Sequence, residues 1–127
     1  MFGFFKKPIK PSLVSFLDRA DDAYILAFKS HNIQPFTPFA SNALCNRVLE
    51  HVLDGSERNF GVDRYRVRTW EIQSKSSTSM TVLKEVTHKN ISIGRGIEIP
   101  LAEDTSQVWF LNVLGNNKYE ITNMEPI

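Results

Sequence analysis

Three arginines at a two-residue step, Arg64, Arg66 and Arg68, form a row of like charge. On a strand, that step projects three guanidinium groups from one face. Guanidinium suits two-pronged capture of carboxylate or phosphate. An acidic protein partner is the occupant such a row would take; a solvated sheet face countered by neighbouring Glu and Asp is the plainer alternative. RNA ranks below both, because no exposed stacking platform is evident. Trp70 and Trp109 both fall in strand-like stretches and suit either a core or a pocket wall. His88 lies among Thr87, Lys89 and Asn90, a polar setting typical of a surface. As a pocket base it needs a carboxylate such as Glu85 or Glu71 within reach. Tyr24, Trp70, His88 and Trp109 are the candidate ligand-binding set, and Arg64, Arg66 and Arg68 the candidate partner-binding set.

Searches for stronger chemistry return nothing. Gly94-Arg95-Gly96 lacks the third glycine and following helix of a dinucleotide site, and no phosphate-cradling loop or nucleophile elbow occurs. His31, His51 and His88 share no metal-ligand spacing with one another or with Cys45. Asp18 and Asp22 stand four residues apart but have no third ligand, so they read as a solvated helix face. His51, in the last turn of its helix, suits the helix dipole. Cys45 is the single cysteine and reads as a small apolar filler, since a nucleophile needs an adjacent base. No catalytic residue, metal or cofactor is expected.

The elements that must position these residues follow from periodicity. Ser12 is placed to cap a helix running to about His31. Leu13, Phe16, Leu17, Ala20, Ala23, Tyr24, Ala27 and Phe28 form its apolar stripe, with Asp18, Arg19, Asp21, Asp22 and Lys29 mostly off it. Thr37-Pro38 predicts the start of a second helix, ending near Leu53 and Gly55, with Ala40, Leu44, Val48, Leu49 and Val52 inward. Strands follow. Val62–Gln73 carries Tyr65 and Val67 opposite the arginines, but Trp70 and Ile72 on their parity, a phase change that predicts a bulge or strong bend near Thr69. Ser74–Ser79 is a polar turn. Met80–Ile93 changes phase again after Val86. Ile97, Ile99 and Leu101 read as a short strand, at an edge because of Pro100. Gln107–Leu114 is apolar at nearly every position and is expected to be buried on both faces. Gly115-Asn116-Asn117 offers the positive φ a tight hairpin turn needs, and Lys118–Ile127 returns.

The 127 residues make one domain, 12–127, preceded by an arm, 1–11, that mixes Phe2, Phe4 and Phe5 with Lys6, Lys7 and Lys10. The arm packs on the domain or docks weakly on a membrane surface or partner. A net charge of +1 gives no electrostatic reason to expect nucleic acid. No apolar run approaches the roughly 20 residues needed to span a bilayer, and no signal peptide is evident. A lone cysteine suits a reducing compartment, so the expected location is cytoplasmic.

Helix, helix, then antiparallel strands closing on Trp109-Phe110 and Tyr119-Glu-Ile-Thr-Asn-Met124 resembles the nuclear-transport-factor-2-like superfamily, the cystatin-like α+β cone. The resemblance covers residues 12–127. It implies an α+β fold with N-terminal helices packed on a strongly curved, mainly antiparallel sheet, and a pocket at the wide end. Its members include dehydratases, isomerases and non-catalytic binders. Its enzymes place an Asp or His in the pocket, and no position here matches one, which points away from catalysis.

The expected function is therefore non-catalytic binding of a protein partner or small apolar ligand through the sheet or its pocket, with homodimerisation through the sheet. One alternative is a small hydro-lyase or isomerase drawing on His31, Asp63, His88 and Tyr24. Another is a bacterial immunity-type protein that neutralises a toxin.

Overall fold

The computed structural model describes residues 9–54, 66–92 and 98–126, with side chains described for 9–53, 68–86 and 106–126. Most of the arm, Gly55, Asp63, Arg64 and Gly94–Gly96 lie outside the described residues, as do the side chains of Arg66 and His88. Helix α1 (Pro11–Ser30), a short 3-10 turn (Gln34–Phe36) and helix α2 (Asn42–Asp54) precede strands β1 (Arg66–Lys75), β2 (Ser79–Ser92), β3 (Glu98–Gly115) and β4 (Lys118–Pro126). The strands form one antiparallel sheet in the order β1-β2-β3-β4, with β1 and β4 at opposite edges and no closure into a barrel. The class is α+β.

Helix α1 begins two residues earlier than its sequence suggests. Pro11 takes the first turn, where its missing N–H costs nothing, and Lys10 is the N-cap without a side-chain bond. Ser12 is thus no cap; its hydroxyl bonds Asn117 Oδ1 at 3.0 Å in the β3–β4 turn. His31 ends the helix in the left-handed conformation (φ 52°), and the Asn32 N–H returns to the Ala27 carbonyl at 3.0 Å.

Helix α2 begins later than the Thr37-Pro38 pair suggests. Ser41 is its cap, accepting the Leu44 N–H on its hydroxyl at 3.2 Å and the Cys45 N–H on its carbonyl at 2.9 Å. Residues 39–41 are drawn out of the helix by the edge of β4. The Ser41 N–H donates to the Ile121 carbonyl, and the Ile121 N–H to the Phe39 carbonyl, both at 2.9 Å. Ala40 and Ile121 form a parallel bridge that covers part of an otherwise open sheet edge.

In the sheet the register runs without interruption from Arg66↔His88 to Ile72↔Val82, so there is no bulge at Thr69. Arg68, Trp70 and Ile72 share one face, and the extra residue is Gln73. The second irregularity lies between His88 and Asn90, where Lys89 faces two residues of β3, Leu101 and Ala102. The short strand read at 97–101 falls, from Glu98 onward, in the first part of β3, and Ile97 lies outside the described residues. Pro100 fits there because β4 pairs with β3 only from Gln107 onward. Thr122 bulges in β4, so that Ile121 and Met124 both pair with inward residues, Leu111 and Trp109. The hairpin turn has Gly115 and Asn117 at positive φ (156° and 58°), the residues that tolerate it best.

Both helices contribute to one core with the inner sheet face. Leu13, Phe16, Leu17, Ala20 and Phe28 of α1, and Leu44, Val48 and Val52 of α2, meet Met80, Val82, Trp109, Leu111 and Ile121. Phe16 packs on Tyr119 with ring centroids 5.5 Å apart. The expectation that Gln107–Leu114 is buried on both faces is corrected. Trp109 and Leu111 are sealed in the core, Val108 and Phe110 on the opposite face are half-buried, and Leu114 is 60% exposed. The core runs along one side of the sheet, so β3 is fully covered on that side alone.

Ser41→Ala should lower stability by about 1 kcal/mol in urea denaturation. Ser12→Ala should change it by less than about 0.5 kcal/mol. The opposite ranking would place the helix starts where the sequence alone suggests them.

Candidate functional site

The described polar side chains that meet between α1 and the sheet gather at one place. Leu17, Asp21, Tyr24 and Phe28 follow one another at four- and three-residue steps, so Asp21 lies within the apolar stripe of α1 rather than beside it. It is fully buried. In β2, Met80, Val82, Lys84 and Val86 alternate toward the helices, which puts Lys84 on the core face at 7% exposure. In β1, the inward parity of Trp70 and Ile72 carries Arg68 with it.

The carboxylate of Asp21 divides between the two cations. Oδ1 accepts from Lys84 Nζ at 2.5 Å, and Oδ2 from Arg68 Nη1 at 2.9 Å. Arg68 reaches two more acids of the helix, Asp18 Oδ1 through Nε at 2.8 Å and Asp22 Oδ1 through Nη1 at 2.7 Å. Asp18 Oδ1 also accepts the Trp70 indole N–H at 2.8 Å. Trp70 meets Trp109 edge to face with centroids 5.0 Å apart. Lys84 Nζ lies 5.2 Å from the centre of the Trp109 ring, whose own N–H donates to Gln107 Oε1 at 2.7 Å. The acidic cluster of α1 is therefore not a simply solvated face. Asp18 and Asp22, like charges one turn apart, are held there by the guanidinium between them.

Burial alone would lower the proton affinity of Arg68. Hydrogen bonds to Asp22 and Asp21, with the charges of Asp21 and Asp18, outweigh it and raise the affinity further above the ordinary arginine value. The Tyr24 phenol is pushed up to about 12, first by burial and then by the Asp21 charge. The Cys45 thiol is raised by burial and then by Glu120. It is a buried side chain whose Sγ lies 3.9 Å from the Ala40 carbonyl oxygen.

Of the four candidate ligand residues, the structure brings Trp70 and Trp109 into contact. Tyr24 packs on Phe28 and Phe36, with centroids 4.9 and 5.4 Å away. His88 is placed by its backbone pairing with Arg66 of β1 and Glu103 of β3. The third member of the arginine row, Arg68, turns to the helix and binds three acids of its own chain. Among the acid–base candidates, His31 is exposed at the end of α1. Among the described residues no group of three or more His, Cys, Asp or Glu is arranged to hold a metal ion, and no helix is long and apolar enough to cross a membrane.

Sequence reasoning missed Asp21 and Lys84, although both left a signal. Each is a charged residue at the correct step of an apolar pattern. Comparison with protein-family models, curated proteins and solved structures finds no match to this chain.

Asp21→Asn should cost about 3–5 kcal/mol, because it leaves Lys84 charged and buried without its counter-ion. Asp18→Asn, at a partly exposed and solvent-screened acid, should cost less than about 1 kcal/mol. Denaturant titration of both variants checks the order. Tyr24 adds a pH dependence. Its folded value lies above the ordinary 10.0, so the stability it contributes is complete below about pH 10 and is lost as pH rises through about 12. Tyr24→Phe should flatten that alkaline loss in unfolding experiments between those limits.

Proposed function

We propose that the chain is a non-catalytic binding domain of nuclear-transport-factor-2-like build, which engages a protein partner through the sheet face turned away from its helices. One observation carries the reading. The polar side chains described between α1 and the sheet bind one another, while the opposite face presents apolar residues that do not join the core. Leu83, Val108 and Phe110 stand on that face, half-buried and outside the core cluster. Leu83 pairs with Val108, and Phe110 lies across from Thr81 and Asn123, which makes an apolar strip over β2 and β3 with polar residues beside it. Aromatic and aliphatic side chains on a rigid sheet lose little freedom on docking, which favours contact. A small apolar ligand is less well supported, since Trp109 is committed to the core.

Immobilised protein, exposed to extract from its source cells, should retain a partner that is lost with Phe110→Ser and with Val108→Thr. Both variants should keep the circular dichroism and urea midpoint of the parent to within the scatter expected for surface changes. Retention that survives both changes would refute the sheet-face reading.

A further inference from the structure

Strand parity and register place four described carboxylates on this face of the sheet, Glu71 opposite Leu83 among them. Glu85 follows Leu83 at the two-residue step along β2. Glu120 pairs with Asn112, two residues beyond Phe110, and Glu125 pairs with Val108. Glu85 and Glu125 are exposed and Glu120 is half-buried. The Asn123 amide donates to Glu125 Oε1 at 3.0 Å, which holds that carboxylate along the strand. The described bases nearby sit at the margins. Lys118 lies at the hairpin tip, and Arg47 comes round the β4 edge to the Thr122 carbonyl at 3.3 Å and Asn123 Oδ1 at 2.9 Å. The centre of the face is thus apolar and its rim acidic.

Building on the sheet-face reading, we infer that the partner is basic, presenting Lys or Arg around an apolar centre that seats on Leu83, Val108 and Phe110. A rim of one sign steers and selects the opposite sign while the apolar centre supplies affinity. The same rim disfavours a second copy of this chain. A two-fold contact through this face would set one acidic rim against the other, and like charges across an interface are costly.

Three synthetic peptides with one apolar strand pattern, carrying Lys, Gln or Glu at the alternate positions, separate the possibilities. Binding is followed by fluorescence anisotropy at low and high salt, with sizing by light scattering. The Lys peptide should bind most tightly and weaken with salt, the Gln peptide more weakly, and the Glu peptide least. Glu85→Lys combined with Glu125→Lys should reverse the order of the Lys and Glu peptides, while Phe110→Ser should weaken all three. Equal binding of the Lys and Gln peptides, still dependent on Phe110, would overturn the basic partner and leave the sheet-face reading standing. Phe110-dependent dimerisation would replace the basic partner with a second copy. No Phe110-dependent binding of any peptide would overturn both.

Discussion

One buried carboxylate joins the two halves of this fold. Asp21 sits where α1 crosses the sheet, with Lys84 on one oxygen and Arg68 on the other. Removing any one of the three leaves charge in a place that water does not reach well, so each depends on the others being in position. Hydrophobic burial brings helix and sheet together without specifying where along the helix they meet. An ion pair with fixed acceptors does specify it, because sliding α1 by one turn would take Asp21 away from both cations. Asp18, Asp22 and Trp70 extend that restraint to the half-exposed margin of the same contact.

This arrangement also shapes what the protein can offer to other molecules. The charges that the sequence advertises are partly spent internally: Arg68, apparently one of a row displayed to a partner, is fastened to the helix. The inner tryptophans are similarly occupied, with Trp70 bonded to Asp18 and both rings packed together. What remains for recognition is the opposite face of the sheet. There the alternation of β2 and β3 brings Leu83, Val108 and Phe110 together, and β4 contributes acids. One-sided burial of an antiparallel sheet is common, and it leaves the second face free to take a character of its own.

The edges are managed by different means. The β4 edge is covered locally by Phe39–Ser41, which exchange backbone hydrogen bonds with Ile121. That exchange explains why α2 starts at Asn42 rather than at Pro38. Ser12 reaching Asn117 ties the beginning of α1 to the tip of the last hairpin. Both are contacts between residues far apart in the chain, and both displaced a local signal: a cap at Ser12 and a helix start at Thr37-Pro38.

Much of the architecture was legible in the residues. The α1 stripe, the order of helices before strands, the final hairpin and its Gly-Asn-Asn turn follow from periodicity and turn chemistry, which are local properties. The interruption of β2–β3 pairing also left a trace, in the changed phase after Val86. Other features depended on partners that periodicity does not reveal. Arg68 looked like a phase error beside Trp70 and Ile72 because a charged residue is not expected on a core face. It belongs there because three acids, 46 to 50 positions earlier, supply its counter-charge. Asp21 and Lys84 stand at core steps for the same reason. Alternation along a chain says which way a side chain points. Whether a charge can remain there is decided by what the tertiary fold places opposite it.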